Sequence, residues 1–165
     1  MRERRFWVDR SQAREVLSRL PYGLYVAGSR DGDNPVAMIA TWVTQVSFFP
    51  QLLAIAVEND SQMIECIDRS GYFSLNLLPA GGKELAASFL RPSDVASKSI
   101  SGHALESALH GSPFLLEASA CLECKVAYRY ETGDHTLVVG EVVDAKTRKG
   151  GEALTMQQTG WNYQR

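Results

Sequence analysis

"ETGDHTLVVGEVVDA", Glu131 to Ala145, decides how the rest of the chain is read. From Thr136 onward it is a β-strand: Leu137, Val138, Val139, Val142 and Val143 are the β-branched and aliphatic residues that suit a pleated, half-buried surface. One glycine, Gly140, interrupts them. Before the strand stand Gly133, Asp134 and His135, which are a turn residue, an acid and an imidazole. Two readings stay open on this stretch alone. It is an ordinary hairpin turn carrying a surface histidine, or it is the reactive rim of a pocket.

Working outward, the neighbouring segments read as more strands with short turns between them. "FLLEASACLECKVAYRYE" before the turn is a long strand or a bent pair of strands. "YGLYVAGSR" is a strand, "DGDN" is a hairpin turn with the residues such turns need, and "PVAMIATWVTQVSFFP" is the return strand with a trailing loop. "QLLAIAVE" is apolar on both faces, as a central strand is, and "YFSLNLLP" alternates. Helices are few. Asp9 or Ser11 caps a first one, whose Ala13, Val16, Leu17 and Leu20 form one apolar stripe ended by Pro21. "NDSQMIECIDRSG" puts Met63, Ile64 and Ile67 on one helical face. "GGKELAASFL" is a short helix with Leu85, Ala86, Phe89 and Leu90 inward. Residues 91–113 break the rhythm and read as a polar surface excursion, with a helical turn at "HALESALH" and His103 and His110 in solvent. The tail after the "TRKGGEA" turn carries late aromatics. Strands at short spacing with hairpin turns predict a mainly β fold, an antiparallel barrel with a few short helices. Regular βαβ alternation and a GxGxxG after a strand are both missing, so a Rossmann nucleotide site is not indicated.

Composition narrows the function classes. At 165 residues the chain fits one domain spanning 1–165 with a substantial core. Net charge is −2, so no broad basic field invites nucleic acid. No apolar run approaches a membrane span, and the basic start "MRERRFWVDR" has no apolar segment behind it to make a signal peptide. Three cysteines, an odd number, argue against a disulfide framework and for a reducing, cytoplasmic setting. Cys121 and Cys124 form a CxxC. On a strand, positions i and i+3 face opposite ways, and no second pair completes four zinc ligands, so no metal site is expected.

Three further stretches carry chemistry. "ATWVTQVSFFP" places Thr41, Thr44 and Ser47 beside backbone that must hydrogen-bond something. It reads as the polar outer face of a strand, or as an edge for a planar heteroaromatic ligand. Ser61 opens a helix, either as a plain N-cap or as a hydroxyl at an anion-favouring helix end. Phe89 and Arg91 close the next helix, and spacing alone reads them as a core residue and a solvated C-terminal charge. Lys98, in the polar excursion, is a weaker candidate for folding over an anion.

Taken in order, these segments resemble the flavin reductase-like, FMN-binding split-barrel family from about Leu20 to Val143. The carriers are "YGLYVAGSRDGDNPVAMIATWVTQVSFFPQLLAIAVENDS", "GYFSLNLLP" with "ELAASFL", "ACLECKV" and "GDHTLVVGEV". The last matches the family's GDHxxxxGEV signature. The resemblance implies a homodimeric Greek-key split barrel holding FMN, or FAD, non-covalently near the dimer interface. It implies that Thr41, Trp42 and Val43 lie along the isoalloxazine, with Thr44 near its polar side. Ser47 and Ser61 would reach the ribityl-phosphate, and Phe89 with Arg91 or Lys98 would close the phosphate end. His135 would sit on the nicotinamide side, orienting NAD(P)H rather than acting as acid or base. The implied activity is NAD(P)H:flavin reduction, with free flavin or a redox partner protein as acceptor. Two rivals remain: an FMN-binding electron carrier without NAD(P)H activity, and a non-flavin barrel. Thr41-Trp42 replaces the Ser-Ser of many members and Gln51 replaces a proline. The tryptophan version is similar to flavoredoxins and to flavin reductase domains of diiron flavoproteins. Members that bind haem or act on pyridoxamine phosphate share the barrel but lack the GDH segment.

Overall fold

The computed structural model describes residues 9–91, 94–96, 98–148 and 150–161. Asp9 caps α1 (Arg10–Leu17), its carboxylate accepting the Ser11 N–H at 2.9 Å. The hairpin of β1 (Tyr25–Asp31) and β2 (Asn34–Ala40) turns on Gly32-Asp33. Then come β3 (Val43–Ser47), β4 (Leu52–Glu58), α2 (Gln62–Ser70), β5 (Tyr72–Leu77) and α3 (Lys83–Ala87). Four short strands follow: β6 (Val95–Ala96), β7 (Ser99–Ile100), β8 (His103–Ser107) and β9 (Pro113–Leu115). The long hairpin β10 (Ala120–Glu131) and β11 (His135–Thr147), then α4 (Met156–Thr159), complete the described elements.

The main sheet is antiparallel, in the order β2-β1-β5-β10-β11-β4-β3. Its two end strands, β2 and β3, are consecutive in the chain and separated only by Thr41 and Trp42. One covalent crossing therefore joins the two ends of the sheet and closes it as a split barrel. The sequence suggested one long return strand here. The chain instead leaves β1 at Ala40 and joins β4 from Val43, because a strand cannot pair with both ends of a curved sheet without a break.

Strand alternation sorts the long hairpin between two cores. Leu122 and Cys124 stand opposite Leu75 and Phe73, while Cys121 and Glu123 stand opposite Asn76 and Ser74. Directly paired residues share a face, so Phe73, Leu75 and Cys124 fill one cluster with Ile55, Met63, Ile67 and Val138. Fully burying a side chain such as Phe73 contributes about 1.5–3 kcal/mol. Gly140 is required in this cluster. A Cβ there would meet Cys124 Cβ and Phe73 Cε1, both at 2.6 Å. The other face is polar where it meets β9. Ser74 Oγ donates to Pro113 O at 2.7 Å, and Leu115 N donates to Asn76 Oδ1 at 2.8 Å. The fully buried Glu123 accepts from His110 N at 2.8 Å and Ser112 N at 3.0 Å. Polar side chains thus replace a strand ladder in holding β9 over the sheet.

Several local expectations fail for identifiable reasons. "HALES" is the strand β8, not a helical turn, because it pairs on both sides with β7 and β9. His110 is not a free surface residue: its ring stacks on Tyr72 at 4.3 Å, nearly parallel. Leu90 is 56% exposed rather than packed in the core, since α3 ends at Ala87. The first helix stops at Leu17, before Leu20 and Pro21, and none of its residues is buried. Its apolar stripe is real, but Val16 and Leu17 remain 64% and 57% exposed, so it finds no partner within the described chain.

Candidate functional site

At the barrel seam a cavity of about 790 Å³ opens between β2, the Thr41-Trp42 crossing, the end of β4 and the start of β11. That is a usual volume for a cofactor site. Its walls are mostly apolar, with Leu24, Met38, Ile39, Ala56 and Met156 among them. Its polar side chains are few: Thr41, Glu58, Ser61 and His135.

The Gly133-Asp134-His135 turn is stitched in place. Gly133 has φ +120, which a side chain strongly disfavours. Across from it, Asn59 Nδ2 donates to Gly133 O at 2.8 Å and Asn59 N donates to Asp134 O at 3.1 Å. Thr136 Oγ1 donates back to Asn59 Oδ1 at 2.7 Å. One asparagine thereby locks the loop after β4 to the loop before β11. His135, paired in the ladder with Glu58, is only 7% exposed and is no surface turn histidine. Its Nδ1 lies 2.7 Å from Asp134 Oδ1. A carboxylate accepts only from N–H, so this contact is made by Nδ1–H and leaves Nε2 turned away from Asp134. The ring sits 4.7 Å from that of Trp42, inclined by 45°.

Ser61 serves both roles the sequence left open. It caps α2, accepting Ile64 N at 3.3 Å and donating to Glu58 O at 2.7 Å, and it also lines the cavity. The cavity thus gathers Thr41, Trp42, Ser61, Phe89 and His135 from separate stretches of sequence. Val43, Thr44, Ser47 and Arg91 are not among its lining residues. Val43, Thr44 and Ser47 lie on β3, where the Thr44 hydroxyl is exposed and bonds its neighbour Gln45 O at 3.3 Å. Arg91 is exposed, just past the lining Leu90. Lys98 lines a different depression, with Arg30, Asp33 and Glu106. Asn59 and Glu58 went unnoticed in the sequence because "END" reads as a plain turn. Met156 and Trp161 reach the cavity from the C-terminal segment, and no spacing rule connects them to it.

Cys121 and Cys124 belong to opposite cores. Burial pushes their thiols up to about 11 and about 12, so both stay protonated and unsuited to metal or nucleophilic roles near neutral pH.

The model of the flavin reductase like domain matches residues 17–163. The chain belongs to this family. Diflavin flavoprotein A 1 of Synechocystis is 34% identical over 146 residues, covering 88% of this chain and 25% of the relative. The chain therefore spans about a quarter of the length of the diflavin flavoproteins it matches. NADH-dependent FMN reductase AsuE2 of Streptomyces nodosus is 27% identical over 92% of this chain and 82% of its own length. Among solved structures, the NADH:FAD oxidoreductase SgcE6 of Streptomyces globisporus has a TM-score of 0.80 at 30% identity. It covers 92% of this chain and 90% of its own. The mainly β, antiparallel fold with few short helices is that of these flavin reductases.

Proposed function

We propose that the chain is one flavin-binding domain that holds FMN at the barrel seam and uses it to accept hydride from NAD(P)H. The observation that carries this reading is the convergence of Thr41, Trp42, Ser61, Phe89 and His135 on one largely apolar cavity at the Thr41-Trp42 crossing. The donor set fits the cofactor: apolar walls for a planar ring system, and hydroxyls of Thr41 and Ser61 for its polar edge and chain. The positive end of α2 beneath Ser61 suits a phosphate. When bound, the flavin supplies the hydride acceptor. FAD is the alternative occupant, and the relatives named above include both FMN- and FAD-linked enzymes.

The chain's own residues do the positioning. Asp134 fixes the His135 tautomer, so Nε2 is the atom left to accept a carboxamide N–H from nicotinamide. Asn59 holds that imidazole at constant height over the cavity. Trp42 flanks it and excludes water from one side. Thr44 and Ser47, together with Arg91 and Lys98, become flavin contacts in this reading only if the assembly or the bound ligand draws them in. A homodimer would do so. Edge strand β3 and the turn after it expose Val46, Phe48 and Phe49 at 49%, 88% and 97%, and the α1 stripe is uncovered as well. Free flavin or a redox partner protein then takes the electrons. Among the described residues no helix is long and apolar enough to cross a membrane, and a cytoplasmic setting is part of the proposal.

The test is an absorption spectrum followed by anaerobic mixing. Protein loaded with FMN should show the visible flavin band and lose it within seconds on adding NADH or NADPH. A band that survives both nucleotides would leave an electron carrier. No band after loading with FMN or FAD would end the flavin reading.

A further inference from the structure

Among the described residues, the 91–113 segment lines none of the cavity, yet one of its side chains other than Arg91 reaches the cavity wall from behind. His103 opens β8. Its Nδ1 lies 2.6 Å from Glu117 Oε2, in the turn between β9 and β10, and its Nε2 lies 3.0 Å from Ser88 Oγ. Ser88 is the residue that ends α3 and directly precedes Phe89. The imidazole ring also packs on Phe89 itself, with centroids 5.6 Å apart and planes inclined by 31°. Ser101, from the same segment, donates its hydroxyl to Ser88 O at 2.9 Å. Phe89 is 4% exposed and lines the cavity.

The order carboxylate, imidazole, hydroxyl is also that of a nucleophilic serine. The surroundings oppose that use. Ser88 caps the C-terminal end of α3, and its Oγ is 3.2 Å from the carbonyl oxygen of Glu84. Carbonyl oxygens and the negative helix end destabilise a developing oxyanion instead of stabilising it. A mechanical role fits better. α3 has only five residues, too few to hold its own last turn against fraying. Its end needs outside anchors, and the wall residue Phe89 follows at once.

We infer that His103 is a positioning residue for the cofactor cavity: bridging Glu117 and Ser88, it braces the end of α3 and sets Phe89 as the cavity wall. This rests on the flavin-binding reading above. Glu117, the imidazole and the Ser88 hydroxyl, which itself donates to Glu84 O at 3.2 Å, form one connected brace across the last turn of α3. It transmits position and takes no part in hydride transfer. The small sheet β6–β9 thereby becomes a support for the site.

The test compares Ser88→Ala, Ser88→Thr, His103→Phe and the Ser88→Ala/His103→Phe double variant with wild type. FMN affinity is measured by quenching of flavin fluorescence, and NADH oxidation is measured at saturating FMN. Losing the His103–Ser88 hydrogen bond, which both single variants cut, should raise the FMN Kd about 3- to 10-fold in each. The double variant should be no weaker than the worse single variant, because both cut the same chain. Ser88→Thr keeps the hydroxyl and should bind as wild type does. Turnover at saturating FMN should change less than about twofold. Unchanged FMN affinity in both Ser88→Ala and His103→Phe would overturn the inference alone, as would losses that multiply in the double variant. Should Ser88→Ala or His103→Phe fold poorly, wild-type affinity in the other would suffice to overturn it. Wild-type protein that binds no flavin would overturn the functional reading first, and this inference with it.

Discussion

Gly140→Ala tests the packing that places β11, and with it the GDH turn. The new methyl would sit 2.6 Å from Cys124 Cβ and 2.6 Å from Phe73 Cε1, whereas carbon atoms in contact rest about 3.5–4.0 Å apart. About 1 Å of movement is therefore needed on two sides. Phe73 and Cys124 are both fully buried, so neither can swing into solvent. A Cβ moves only with its backbone, and Cys124 is held in the ladders of both β5 and β11. Overpacking of this kind costs about 1–3 kcal/mol. For a domain of this size that lowers Tm by roughly 2–12 °C. The assay is urea unfolding of wild type, Gly140→Ala, Phe73→Leu and the double variant, followed by tyrosine and tryptophan fluorescence. Leucine at 73 removes the ring edge that the methyl strikes. The double variant should therefore be more stable than the sum of the single effects predicts, by about 1 kcal/mol. A Gly140→Ala protein within about 0.5 kcal/mol of wild type would refute the reasoning, because the glycine would then be incidental.

Three further outcomes are expected. His135→Ala should raise the apparent KM for NADH or NADPH by about tenfold, from one lost oriented hydrogen bond, with a much smaller change in FMN Kd; steady-state kinetics with a parallel flavin titration decide it, and wild-type KM would remove His135 from the nucleotide side. Asn59→Ala deletes the bonds to Gly133 O and from Thr136 Oγ1 and should cost about 1–3 kcal/mol in urea unfolding while also raising that KM; a stability loss without a KM change would show that the turn keeps its place unaided. Glu123→Gln turns one buried acceptor oxygen into an N–H₂ that faces either the His110 amide, now bound by Oε2, or the Ser112 amide, now bound by Oε1, so about 2–4 kcal/mol should be lost, and a Tm within 2 °C of wild type would mean that loop relaxes freely.

How far the sequence could be read differed from residue to residue. Met63, Ile64 and Ile67 announced their helix face by spacing, and burial follows that spacing. "DGDN" named its hairpin turn because few residues tolerate that backbone. "HALES" misled because its five residues suit either period, and only pairing with β7 and β9 chose the strand. At the site, Ser61 and His135 could be marked from capping and turn chemistry, and Thr41-Trp42 from a resemblance. Asn59 could not be marked, since its value lies in reaching Gly133 and Thr136, far along the chain. His103 looked like solvent decoration for the same reason. Glu117 and Ser88 lie on other elements, brought near only by folding.

What the sequence determined by itself is therefore local and periodic. It gave the alternation of the strands, the caps, the turn glycines, the scarcity of helices and a family signature spread across the chain. Those properties depend on neighbours within a few residues, and backbone sterics and side-chain chemistry settle them at that range. The tertiary structure decided everything that depends on closure. Joining the sheet's two ends through Thr41 and Trp42 created the cavity, chose which hydroxyls face it, and left Thr44 and Lys98 outside. It also buried His135 against Trp42 and set its Nδ1 against Asp134. Contacts between residues this distant in the chain form only after the loop entropy of closing the barrel has been overcome, and no short stretch of sequence encodes that balance.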